Sequence, residues 1–236
     1  MGKNASILQI CLLVLNLPPY RITNNCKGLT IPMITIIDFG MGNLGSILNM
    51  LARMDYKAEI TSNLERIKSA EKLILPGVGS FDLAMTNLQN QKMIPVLNNL
   101  VLEERVPILG ICLGMQILSK KSEEGVLEGL NWIEANTIRF RFDAEQNLRV
   151  PHMGWNTIRI EQDSCLFEGM YEDPRFYFVH SYHVKCPSDA NILSTTEYGI
   201  SFTSSIMSDN IYGVQFHPEK SHKFGMKLLG NFVELC

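Results

Sequence analysis

The chain reads as an α/β protein, an open and doubly wound sheet that is mainly parallel, with helices on both faces and an antiparallel β extension. Three observations predict this. Short apolar runs alternate with longer amphipathic segments through the first half, as in βαβ units whose parallel strands are covered on both sides. The second half is denser in β-type runs with little room for helices between them. One apolar run ends at Cys112, between Gly110 and Gly114, and passes directly into an amphipathic stretch from Leu113 to Ser119. That is a buried strand, a sharp turn and a helix.

Taken in order, residues 34–39, 58–61, 72–75 and 107–111 are predicted strands, and 43–54, 81–89 and 93–105 the helices between them. The β-rich half contributes 137–142, 157–160, 176–183, 192–197, 200–205 and 212–216. A last helix over 223–235 places Phe224, Leu228, Leu229 and Phe232 at helical spacing on one face. No repeat or low-complexity tract interrupts the pattern. In such sheets ligands bind outside the carboxyl ends of the strands, which is where Cys112 and His217 both fall.

With 236 residues, 46% of them hydrophobic, the chain can bury one large core but not two. A net charge of −3 without a basic cluster argues against nucleic acid as a partner. Six scattered cysteines, with no CxxC and no metal-ligand spacing, suit a reducing cytosol, and no metal is expected. The first 32 residues are expected to be an extension, disordered or non-native, ahead of a single domain over 33–236. Residues 7–17 have the length of a signal-peptide core but no cleavage pattern, and they are too short to span a bilayer. Met1-Gly-Lys-Asn-Ala-Ser6 fits the loose myristoylation pattern, which short sequences match by chance.

The chemistry starts at Cys112. Glycines on either side allow a tight turn that lifts the thiol clear of the sheet, and the helix N-terminus behind it favours negative charge. Alone, this pattern fits a buried structural cysteine about equally well. The run Ile211-Tyr-Gly-Val-Gln-Phe-His-Pro-Glu219 changes the balance, because it ends another strand in a histidine. A thiol nucleophile needs a base to take its proton and return it to the leaving amine, and imidazole does this near neutral pH. Glu219, two residues beyond His217, can orient the ring through its other nitrogen. The catalytic set predicted is Cys112, His217 and Glu219.

Gly110-Ile-Cys-Leu-Gly-Met-Gln116 and Gln215-Phe-His-Pro-Glu219 together resemble the signature of class I, triad-type glutamine amidotransferases. Residues 34–46, Val150-Pro-His-Met-Gly-Trp-Asn156, Leu75-Pro-Gly-Val-Gly79 and Tyr177-Phe-Val-His-Ser-Tyr182 narrow the resemblance to the glutaminase subunits of imidazole glycerol phosphate synthase. It runs from about Met33 to the C-terminus. It implies glutamine as substrate, no cofactor, a cytoplasmic location and a (β/α)₈-barrel cyclase as heterodimeric partner in histidine biosynthesis. The partner would receive the ammonia, since the chain has neither a P-loop nor a GxGxxG fingerprint for an acceptor of its own.

The backbone N–H of Leu113 and the glycines of Pro76-Gly-Val-Gly79, Gly77 and Gly79, are predicted to hold the oxyanion. Gln116, one helical turn after Cys112, faces the same cleft, and the resemblance assigns the amino-acid head group to Ser181 and Tyr182. Asn43, Trp155 and Lys220 match family positions near the partner interface. The chemistry leaves other acceptors open. A paralogue supplying ammonia for surface-polysaccharide sugar amidination, a cysteine amidase or protease on a related scaffold, and a non-catalytic domain of the same fold share parts of the pattern.

Overall fold

A computed structural model describes residues 32–236. The extension expected over the first 32 residues lies, apart from Pro32, outside the described residues. The strands are β1 (Ile34–Ile37), β2 (Ala58–Thr61), β3 (Lys72–Gly77), β4 (Ile108–Cys112), β5 (Lys121–Ser122), β6 (Asn136–Arg139), β7 (His152–Thr157), β8 (Arg159–Ile160), β9 (Arg175–His180), β10 (Tyr182–Lys185), β11 (Ile192–Tyr198), β12 (Ile200–Ser208) and β13 (Ile211–Val214). The helices are α1 (Leu44–Arg53), α2 (Leu64–Lys68), α3 (Phe81–Asn90), α4 (Met93–Asn98), α5 (Leu113–Ile117) and α6 (His222–Glu234). A π-helical turn, Asn99–Glu103, extends α4 towards the end of the helix expected over 93–105.

The main sheet runs in the order β2-β1-β3-β4-β13-β12-β10-β6-β5, with β11 and β8 branching from β12. Its first five strands are parallel, and β12, β10, β11 and β8 form the antiparallel extension. The predicted fold class is borne out. The reason lies in side-chain alternation on strands buried from both sides. Leu73 and Leu75 of β3 pack on one face with Ile67, Leu88, Leu97 and Met115. Ile74 packs on the other with Ile47, Leu51, Leu228 and Phe232. Thus α2, α3, α4 and α5 cover one face, and α1 and α6 the other.

Two differences from the predicted elements matter for the site. The single strand expected over 176–183 breaks at Ser181, where β9 leaves to pair with β7 in a separate two-stranded sheet and β10 joins β6 and β12. The strand expected over 157–160 instead divides into β7 and the short β8. The cysteines also hold a surprise: Cys165 and Cys236 are joined by a disulfide that ties the chain end to the 165–167 turn. Among the described residues no helix is long and apolar enough to cross a membrane.

Candidate active site

The turn at Cys112 is built from sterics. Its φ is 56°, a left-handed value that costs a residue with a side chain roughly 1–3 kcal/mol and recurs at functional sites. Such a turn brings the start of α5 back against β3 and β4. A Cβ on Gly114 would lie 1.7 Å from the Leu75 carbonyl oxygen, and one on Gly110 would lie 2.7 Å from the Gly114 oxygen. Only glycine fits either place. The result is a side chain at the carboxyl edge of the sheet, 7% exposed, at the head of α5.

β13 lies beside β4 in parallel, with Val214 opposite Ile111, so the residues that follow each strand emerge together. His217 is bridged to Tyr177 of β9, its N–H donating to the Tyr177 carbonyl at 2.9 Å. Glu219 follows in a 3₁₀ turn opened by Pro218, and its Oε1 meets His217 Nδ1 at 2.8 Å, both side chains buried. Burial works against a charged imidazole here. The adjacent Cys112 sulfur and the Glu219 carboxylate outweigh it and push the His217 pKa up to about 9. With Nδ1 committed to Glu219, Nε2 has no hydrogen-bond partner and is left for the sulfur and for substrate.

A cleft of about 320 Å³ opens over these groups, within the size range of small-molecule sites. Of the residues predicted from sequence, Gly79, Cys112, Leu113, Gln116, Ser181, Tyr182 and His217 line it. Gly77 is not among the lining residues; it ends β3, paired with Cys112 of β4. Glu219 stands behind His217 rather than in the cleft wall. Trp155 is exposed and stacks on His222, Lys220 lies 5.6 Å from the Tyr177 ring, and Asn43 is exposed at the start of α1, which packs against the 218–220 turn.

Sequence reasoning misses Glu124 in the cleft wall and the buried Gln215 beside the sulfur. Glu124 lines the pocket and accepts the Phe81 N–H at 2.8 Å, while Asp82 binds the amides of Val126 and Leu127 and clamps that loop to α3. A signal for Glu124 exists: it is one of two adjacent glutamates before Gly125, in a segment with no helix or strand pattern. Gln215 is fully buried, with its Nε2 3.7 Å from Cys112 Sγ. In the sequence it opens the Gln215–Glu219 motif, but as one polar position at the end of an apolar run it carries no assigned role.

A second group of histidines reaches the cleft through His180. His180 Nδ1 is 2.8 Å from the Tyr182 carbonyl and so must carry a proton. Its Nε2 then accepts from His152 Nδ1 at 3.0 Å, and His152 Nε2 accepts from Asn156 at 3.3 Å. Every ring in this relay is neutral. Desolvation among Phe140, Phe178 and Phe202 lowers His152 to about 4, His180 to about 3 and the neighbouring His183 to about 4.

Fold and geometry together describe a thiol, an imidazole and a carboxylate gathered at the carboxyl edge of a doubly wound sheet. The family model described as glutamine amidotransferase class-I matches residues 35–235. The chain is 55% identical over 202 residues to imidazole glycerol phosphate synthase subunit HisH 2 of Methanococcus maripaludis, covering 86% of this chain and 99% of that protein. It is 47% identical over 203 residues to the HisH 2 subunit of Pseudomonas aeruginosa, covering 86% and 100%. Among solved structures, a glutamine amidotransferase from Thermotoga maritima aligns with a TM-score of 0.58 at 16% identity, over 81% of this chain and 77% of that one, and shares the fold. The chain belongs to the class-I glutamine amidotransferases and, within them, to the family of the HisH subunits of imidazole glycerol phosphate synthase.

Proposed function

We propose that the chain hydrolyses glutamine to glutamate and ammonia and delivers the ammonia to a (β/α)₈-barrel cyclase subunit, forming imidazole glycerol phosphate in histidine biosynthesis. The observation that carries this reading is the buried His217, bonded to Glu219 on one nitrogen and turned towards Cys112 with the other. A raised imidazole pKa beside a sulfur favours the thiolate–imidazolium pair, the reactive form of a cysteine nucleophile.

The steps follow from that pair. Cys112 Sγ attacks the side-chain carbonyl carbon of glutamine, and the carbonyl oxygen takes up negative charge. The Leu113 N–H and the Gly77–Gly79 segment are the donors for it, each worth about 2.7–4 kcal/mol in measured cases. Imidazolium His217 gives its Nε2 proton to the leaving nitrogen, the C–N bond breaks, and ammonia departs from a glutamyl thioester. Neutral His217 then takes a proton from water, whose oxygen attacks the thioester and releases glutamate and the thiolate. Glu219 keeps the ring in one orientation and stabilises its charged form throughout.

Substrate selection uses the rest of the cleft. Glu124 is the carboxylate placed to meet the α-ammonium of an amino acid, while Gln116, Ser181 and Tyr182 frame the head group. The exposed Trp155, Lys220 and Asn43 form the side offered to the cyclase in a heterodimer. A reducing cytoplasm suits a thiolate enzyme, although the Cys165–Cys236 disulfide departs from what such a compartment usually holds.

The test is steady-state glutamine hydrolysis by the chain alone and with its purified cyclase partner. Hydrolysis should be weak alone and rise strongly in the complex, and Cys112→Ala should abolish it in both. Equal turnover with and without the partner, or transfer of ammonia to no cyclase product, would overturn the reading.

A further inference from the structure

The side chains of Gln116 and Gln215 form a chain of hydrogen bonds with a single possible direction. Gln116 Nε2 lies 3.0 Å from the Tyr182 carbonyl oxygen and 3.0 Å from Gln215 Oε1. A carbonyl can only accept, so the Gln116 atom facing Tyr182 must be nitrogen. Its second N–H then needs an acceptor, so the Gln215 atom facing it must be oxygen. What remains of the Gln215 amide is its NH₂ group, and that is the end 3.7 Å from Cys112 Sγ. Turning either amide over would set oxygen against oxygen or N–H against N–H in a pocket where Gln215 has no solvent to turn to.

We infer that Gln215 is a thiolate-holding residue: its side-chain N–H, locked towards Cys112 by Gln116 and the Tyr182 carbonyl, stabilises the sulfur anion and fixes its direction of attack. A donor aimed at an anion lowers the energy of the charged form, and in a water-poor site the effect is larger than in solution. The same Tyr182 carbonyl also accepts from His180, so the peptide proposed to frame the substrate head group is the anchor of the relay. The inference rests on the reading of Cys112 as the nucleophile.

The experiment is alkylation of Cys112 by iodoacetamide in the full chain, followed by mass spectrometry at that residue between about pH 5 and pH 10. Gln215→Met removes the donor at nearly constant volume. Its alkylation midpoint should move up by about one pH unit, slowing alkylation about fivefold at the wild-type midpoint, with the high-pH plateau unchanged. Gln116→Met, which frees the Gln215 amide to turn, should move the midpoint the same way by less. A folded Gln215→Met with an unmoved profile overturns the inference. If that variant does not fold, the intact chain decides. The side-chain ¹⁵N resonance of Gln215 should shift with the alkylation midpoint, and a resonance that stays in place across it counts against the relay. Alkylation needs neither glutamine nor the partner, so a chain inactive towards glutamine would remove the proposed function while leaving this profile readable.

Discussion

Two sets of histidines are buried to nearly the same degree, with their pKa values pushed in opposite directions. His217 is 2% exposed with its pKa raised to about 9, whereas His152 and His180 are 3% and 5% exposed and held at about 4 and about 3. Burial penalises the charged ring in both places. What differs is the partner. His217 has a carboxylate on Nδ1 and a sulfur beyond Nε2, while His152 and His180 have each other, an amide and a backbone carbonyl, among phenylalanine rings. In this protein the hydrogen-bond acceptor, not depth, decides whether an imidazole can act as an acid.

The largest expected effect comes from making His217 resemble the other set. Glu219→Gln removes one of the two groups that hold the ring charged and leaves the Cys112 sulfur alone against desolvation, so the His217 pKa should fall from about 9. Glutaminase kcat/KM in the assembled complex should drop on the order of 10³–10⁴-fold at neutral pH, as when a triad carboxylate is neutralised elsewhere. A loss smaller than about tenfold would break the comparison.

The converse change is Asn156→Asp. Asn156 now donates to His152 Nε2 and to the Glu197 carbonyl. An aspartate there can only accept, and since His152 Nδ1 already donates to His180, only a doubly protonated His152 satisfies it. NMR titration should find the His152 pKa raised from about 4 to above its ordinary 6.5. A value still near 4 would mean that the aromatic surroundings outweigh the acceptor.

The smallest effect is on stability. His152, His180 and His183 take up protons in the unfolded chain near pH 6.5 but in the folded one only near pH 3–4. Their depressed values contribute stability above pH 6.5 that is lost as pH falls towards 4, by at most about 3 kcal/mol for each shift of this size. His183→Phe deletes the one whose Nε2 has no partner. Its denaturant midpoint should therefore fall less than that of the wild type between neutral pH and pH 4. For His217 the sign reverses: its raised pKa stabilises the fold below 6.5, and that contribution fades as pH climbs through about 9.

Much of this is legible in the sequence, for local reasons. The strand, turn and helix at Cys112 follow from an apolar run and two glycines, and the His217–Glu219 pair from spacing along one short segment. What escapes depends on distant partners. Nothing in the alternating aromatic run from Phe176 to His183 marks Ser181 as a break, because the break arises from β9 and β10 pairing with different strands. The strand β7 shows itself only as a motif, since Pro151, Gly154 and Asn156 are poor strand formers. Gln215 meets Cys112 across 103 positions of chain, and Cys165 meets Cys236 across 71, separations at which no periodicity speaks.

One consequence of the β4–β13 pairing concerns heat. Ile111 and Val214 sit opposite each other in the middle of the sheet; the nucleophile ends the first of those strands and its base lies three residues beyond the second. Fraying at an edge strand or a surface loop does not part them. Thermal inactivation of alkylation at Cys112 should accordingly coincide with global melting of the domain, with no temperature window in which the protein is folded but its sulfur has lost its partner.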